Sequence, residues 1–319
     1  MNVKITGSGY FLPDKIETSL ELSKKINKSE EWILSRTGVM ERRVSDIDVD
    51  KMGARAGRKA LNGKKPDLII NASGVGKQII PDSSVFLQRE LGFSGIPSFS
   101  IHATCLSFLV AFNTAGAFIS QGIYKKILII SSDRGTRGRN YNQPESAALL
   151  GDAAAAVLVE NSNSDSSEIL SYSMETWPEG HDLTEVRGGG TNLHPQDEGT
   201  NIDDNLFSMN GPRIYKMARK KVYDVIKNDL KNNNLKPNDI DCLVPHQASL
   251  LAIKAYSTYG GFKENNVVNI IAKTGNCVAA SLPLAFAMAC ENKQIERNDL
   301  VYLVGTGAGL SIASLLLRY

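Results

Sequence analysis

The chain has 319 residues, 42% of them hydrophobic, and a formal net charge of +2 from 36 basic and 34 acidic side chains. That is apolar material for a sizeable core, more than one domain ordinarily needs, and the even charge balance argues against a nucleic-acid or membrane surface. The opening MNVKITGSGYFLP lacks the apolar core of a signal peptide, VAASLPLAFAMAC is too short to span a bilayer, and four cysteines without paired spacing form no disulfide framework. A protein of the reducing cytoplasm is expected.

In chain order, strand-like runs alternate with helix-like runs. VKITGSGYF, DLIINASG, SFSIHA, KILIISSD and AAAAVLVE read as strands of the first half, and SVFLQREL and LSFLVAFNTAGAFISQG as its helices. EILSYSM, IDCLVPHQ, VVNIIAKTG, DLVYLVGTG and LSIASLLLRY read as strands of the second half, with RIYKMARKKVYDVIKNDL and SLPLAFAMACENKQI as helices. The alternation predicts an α/β fold with largely parallel strands, the closing runs of each half returning as hairpins. The halves also match in order. KPDLIINAS aligns with NDIDCLVPHQAS, pairing Asp67 with Asp241 and Ala72 with His246, and KILIISSD aligns with DLVYLVGTG. This pattern predicts a duplication, with one unit over residues 1–162 and the other over 163–319.

Cys105 lies where an apolar strand-like run meets a long helix-like run. A thiol at a helix N-terminus faces orphan N–H groups and the positive end of the dipole, which favour the thiolate. His246 and Asn276 fall at comparable strand-to-helix junctions in the second half, so the three can converge at one end of a sheet as a nucleophile with two polar assistants. A lone cysteine is ordinarily a small buried hydrophobe, and Cys242, Cys277 and Cys290 read that way. His102, three residues before Cys105, reads as a satisfied core histidine. His181 and His194 read as loop residues rather than metal ligands.

These segments resemble the β-ketoacyl-acyl-carrier-protein synthase III family of the thiolase-like superfamily. The likeness runs almost end to end: SEEWILSRTG, ATC, VPHQA, KTGN with AAS, LLGDAAAAVL and GTGAGLS. It implies a five-layered αβαβα fold built from two duplicated halves, and a homodimer. It implies catalytic Cys105, His246 and Asn276, an oxyanion hole from the backbone N–H groups of Cys105 and Gly309, and no metal or redox cofactor. Trp32 and Arg36 stand at its positions for binding coenzyme A (CoA), four apart on one helix face, where a ring and a guanidinium can hold adenine and phosphate. Without the resemblance, that pair would read as a solvated amphipathic face. GTGAGLS would read equally as a tight turn.

The implied chemistry is transfer of an acyl group from acyl-CoA to Cys105, then decarboxylative Claisen condensation with malonyl-carrier protein or malonyl-CoA. Relatives that instead deprotonate an acyl chain supply a Glu from the segment crossing the dimer interface. Here it reads GKQIIPDSS, with Asp82 one residue late and Glu90 too far along. Ile80 stands where a bulky aromatic residue limits the acyl pocket of the fatty-acid enzyme, which points to a longer or branched primer. GHDLTEVRGGGTNLHP reads as a pocket wall. Leu251, Thr258 and Tyr259 replace basic carrier-docking residues, Ser249 and Pro212 replace Asn, and the Arg that stacks on adenine falls near Pro144; Lys216 is retained. A specialised lipid or polyketide pathway fits these departures. An acyltransferase acting on oxygen or nitrogen is the alternative, and a non-catalytic partner subunit is disfavoured by the presence of Cys105.

Overall fold

The computed structural model describes residues 1–162 and 167–319, so the expected boundary at residue 163 lies outside the described residues. The first half contains β1 (Val3–Phe11), β2 (Ile16–Thr18), α1 (Ser19–Ile26), α2 (Glu30–Thr37), β3 (Glu41–Arg43), α3 (Val49–Leu61), β4 (Leu68–Asn71), α4 (Ser83–Leu91), β5 (Ser98–Ser100), α5 (Ser107–Ser120), β6 (Lys126–Arg134), α6 (Pro144–Ala147) and β7 (Asp152–Asn161). The second contains β8 (Glu168–Gly180), β9 (Thr184–Glu185), β10 (Ser208–Met209), α7 (Gly211–Asn232), β11 (Cys242–Pro245), α8 (Leu250–Thr258), α9 (Ile271–Thr274), α10 (Ser281–Glu291), β12 (Leu300–Gly307) and β13 (Gly309–Arg318).

The five-stranded sheet runs β1-β7-β6-β4-β5 and the four-stranded sheet β8-β13-β12-β11, the same order in each half but for β5, while β2 pairs with β3 and β9 with β10 in two small ribbons. The expected parallel pairing holds only toward one edge of each sheet. β4 is parallel to β5 and β6, and β11 to β12. β7 and β13 are antiparallel to both their neighbours, because a returning strand needs no crossover helix. VVNIIAKTG, expected to be a strand, is not one. Val267 makes a single parallel bridge to Leu243, at the place β5 takes beside β4, and Ile271–Thr274 then coils as α9. The buried Gln247 side chain donates to Val268 O and accepts from Ile270 N–H, which takes up backbone groups that a strand ladder would use.

Five layers result. α3 and α4 cover the outer face of the first sheet, with Met52, Ala56 and Leu87 on Ile69, Leu128 and Ile130. α5 and α10 fill the middle, where Phe108, Phe112, Leu282 and Phe286 meet Ile70 and Ile129 from one sheet and Val244 and Leu303 from the other. A helix buried on two sides must be apolar nearly all round, as α5 is. α7 and α8 cover the second sheet through Ile226, Leu230 and Ile253. Burying each such side chain stabilises the fold by roughly 1.5–3 kcal/mol. Among the described residues no helix is long and apolar enough to cross a membrane.

Candidate active site

Cys105 sits on a tight turn between β5 and α5. Thr104 takes φ +51°, and the turn closes when Leu106 N–H donates to Ala103 O at 3.0 Å and Ser107 N–H to Thr104 O at 3.2 Å. Ser107 Oγ, buried at the first turn of α5, accepts from Ala103 N–H and donates to Thr104 O. The sulfur is thus held two residues before the helix. Two opposed effects act on the thiol here, the helix N-terminus and desolvation. Burial pushes the thiol up to about 12, and the Asp133 carboxylate adds to the rise against a backbone hydrogen bond. The helix terminus acts in the opposite sense, by at most about 2 kcal/mol.

His246 follows β11 directly. Its N–H continues the ladder to Val304 O at 2.8 Å, and the ring is buried with Nδ1 unpartnered. Burial pulls its pKa down to about 4, so the imidazole is neutral at physiological pH and offers one N–H donor. Gln247 beside it bonds Pro245 O, Val268 O and Ile270 N–H, tying the histidine turn to the chain that leads to Asn276.

Asn276 does not end a strand as expected. It follows α9 and bridges Leu150 in parallel, its N–H donating to Leu149 O at 2.7 Å and its O accepting from Gly151 N–H at 2.9 Å. Its Oδ1 accepts from Val278 N–H at 2.9 Å and from the Ser281 hydroxyl, so the amide's acceptor is occupied by its own turn while Nδ2 remains to donate.

The three turns meet at the carboxyl ends of β6 and β12. A Cβ on Gly305 would lie 3.0 Å from His246 Cβ and 3.1 Å from Leu106 Cδ2, and one on Gly307 would lie 2.6 Å from Thr104 Oγ1. Only glycine lets the cysteine turn come so close to β12. Asp133, one residue before the end of β6, accepts from Gly74 and Val75 N–H and from Ala280 N–H, which joins the β4 loop to the segment after Asn276. Burial raises its carboxyl to about 7 against those hydrogen bonds. Sequence reasoning missed Asp133. The available signal was a carboxylate closing the apolar run KILIISSD, where the matching run ends in GTG.

Two descriptions of the same family match the chain: "3-Oxoacyl-[acyl-carrier-protein (ACP)] synthase III" over residues 99–178 and its C-terminal part over residues 230–319. The Beta-ketoacyl-[acyl-carrier-protein] synthase III of Rickettsia bellii is 30% identical over 326 residues, covering all of both chains. The chain belongs to the β-ketoacyl-acyl-carrier-protein synthase III family. It is an acyltransferase-type condensing enzyme with the thiolase-like αβαβα fold, primed by an acyl group and extended with a malonyl thioester. The 3-oxoacyl-[acyl-carrier-protein] synthase III of Aquifex aeolicus superposes with a TM-score of 0.91 at 29% identity, covering 99% of this chain and 100% of that one. The priming β-ketosynthase of the R1128 polyketide pathway superposes equally well at 26% identity, covering 99% and 96%.

The other expected site residues of this synthase are more scattered. Gly309 opens β13 at φ +137°, a backbone that favours glycine, just past the Gly307 contact with the cysteine turn. Trp32 and Arg36 both lie on α2, but Trp32 is half-buried against Leu22, Ile26 and Ala147, and the cation over its ring is Lys28 at 5.5 Å. Arg36 is exposed. Ile80 is 81% exposed on the β4–α4 loop. His102 is exposed, not a core residue, and its Nε2 bonds Gly74 O at 3.0 Å. Among the described residues no group of three His, Cys, Asp or Glu side chains is placed to hold a metal.

Proposed function

We propose that Cys105 carries the acyl group and that His246 and Asn276 serve the condensation. The observation that carries this reading is the gathering of the three turns around Gly305, Gly307 and Asp133. The Cys105 sulfur attacks the acyl-CoA thioester, a new thioester forms as the bond to the CoA sulfur breaks, and the thiol proton of Cys105 passes to that sulfur, so CoA leaves as the thiol. Backbone N–H groups of Cys105 and Gly309 steady the oxyanion. Malonyl thioester then loses carbon dioxide, and its enolate carbon attacks the acyl-Cys105 carbonyl and expels the sulfur. The neutral His246 and the free Asn276 amide donate to the enolate oxygen. No side chain has to remove a carbon-bound proton, because decarboxylation makes the nucleophile. Transfer to oxygen or nitrogen is not favoured.

We read residues 1–162 and 163–319 as two copies of one unit, and the enzyme as a cytoplasmic homodimer. Ile79 and Ile80, 76% and 81% exposed, are suited to enter the partner's acyl site. Trp32 and Arg36 would border the CoA path. Leu251 and Tyr259 are 58% and 59% exposed where basic residues would favour an acidic carrier, and Arg219 lies over the Tyr259 ring at 5.4 Å. We therefore expect malonyl-CoA or a dedicated carrier to outpace a generic fatty-acid carrier. A fast, strongly salt-dependent reaction with the generic carrier would contradict this.

The experiment is intact-mass analysis after incubation with a panel of acyl-CoAs. Wild type gains one acyl group and Cys105→Ala gains none. A shift that persists in Cys105→Ala, or maps to Cys242, Cys277 or Cys290, overturns the assignment.

A further inference from the structure

We propose that Arg42 and Arg139 are positioning residues for Asn276, each holding one of the alternate carbonyls of the strip 148–151 whose other groups grip the Asn276 backbone. Arg42 Nη2 donates to Ala148 O at 2.8 Å, and Arg139 Nη2 donates to Leu150 O at 2.7 Å. Between them, Leu149 O accepts from Asn276 N–H and Gly151 N–H donates to Asn276 O. One edge of the strip therefore rests on two guanidinium groups and the other on Asn276. The Arg42 stem also touches the backbone on both sides of this clamp. A Cβ on Gly151 would lie 3.2 Å from Arg42 Cβ and one on Gly275 would lie 3.4 Å from it.

The charges are placed at an energetic disadvantage for a purely structural role. Arg42 is fully buried and Arg139 nearly so. Glu17 answers Arg139 directly at 2.5 Å, but Arg42 finds only Ser19 Oγ and the carbonyls of Glu17 and Ala148, and Nε of each arginine has no partner. Packing alone could be met by apolar side chains, often without loss of stability. A rigid fork that fixes carbonyl oxygens is what guanidinium adds. Fixing Ala148 and Leu150 fixes the bridge to Asn276, and with it the direction of Nδ2.

The inference rests on Asn276 serving condensation, and the test separates the two. Acylation of Cys105 and decarboxylative condensation are measured by single turnover for Arg42→Met, Arg139→Lys, Asn276→Ala and the double variant Arg139→Lys with Asn276→Ala. Expected are a 10- to 100-fold fall in condensation for each arginine variant with acylation within about twofold of wild type, and less than about threefold further loss from Arg139→Lys once Asn276 is alanine. Arg139→Lys keeps the charge and decides the matter where Arg42→Met does not fold. Equal losses in both half-reactions, or full additivity in the double variant, overturn the inference. Undiminished condensation in Asn276→Ala overturns the reading of Asn276 and the inference with it.

Discussion

At the end of β4, Ala72 N–H donates to Ile130 O at 2.7 Å; at the end of β11, His246 N–H donates to Val304 O at 2.8 Å. Asp67 and Asp241 match as well, accepting from Lys126 N–H and Leu300 N–H at the strand starts beside them. The central strands then diverge. β6 carries Ser131, which bonds Ala72 O, and Asp133, which bonds the β4 loop. At the same ladder positions β12 carries Gly305 and Gly307, and their empty volume is filled by Leu106, Thr104 and His246. One sheet end is sealed by its own side chains, whereas the other is left open so that the cysteine turn of the first half can enter. The same ladder thus serves stability in one copy and reactivity in the other.

The sharpest break of this comparison is to close the open end. Gly307→Val places atoms on Thr104 and Leu106, and a shift of about 1 Å in the cysteine turn should lower Cys105 acylation on the order of 100-fold. Rapid-quench mass analysis checks this, and near-wild-type acylation would remove the glycine argument. Next is pH. The folded pKa of His246 lies near 4, below its usual 6.5, so the stability linked to it is present above pH 6.5 and is lost as pH falls toward 4, by about 3 kcal/mol at most. His246→Ala, which restores the residue type of Ala72, should flatten the stability curve across that window in chemical denaturation; an unchanged slope counts against a buried neutral ring. Asp133→Asn presents an NH₂ where backbone N–H groups need acceptors. It should destabilise by roughly 1–3 kcal/mol, read as a lower Tm. The smallest effects belong to the matched pair. Asp67→Ala and Asp241→Ala should each destabilise by about 1 kcal/mol in urea, and a large inequality would deny the equivalence.

Much of this was legible in the sequence. Alternating apolar runs gave the element order, and the alignment of Asp67 with Asp241 and Ala72 with His246 anticipated the matched sheets. Cys105, His246 and Asn276 stood out because each follows an apolar run in a chemically distinct motif. The non-strand at VVNII was not legible, since its apolar run is strand-like and only the Gln247 side chain, brought in by the fold, diverts its backbone. The raised Cys105 thiol was missed because burial is a property of the packed turn, not of the local helix signal. Nothing in the sequence marked Arg42 or Arg139, because their burial and their hold on Ala148 O and Leu150 O arise only when the chain folds.

The central claim is that the chemistry is divided, with Cys105 taking the acyl group and His246 and Asn276 acting on the malonyl enolate. Single-turnover acylation and decarboxylation, measured side by side in His246→Ala and Asn276→Ala, test it most directly. Acylation should stay within about tenfold of wild type while decarboxylation falls on the order of 100-fold or more, as loss of one oxyanion donor ordinarily does. Acylation collapsing in step with decarboxylation would contradict the account.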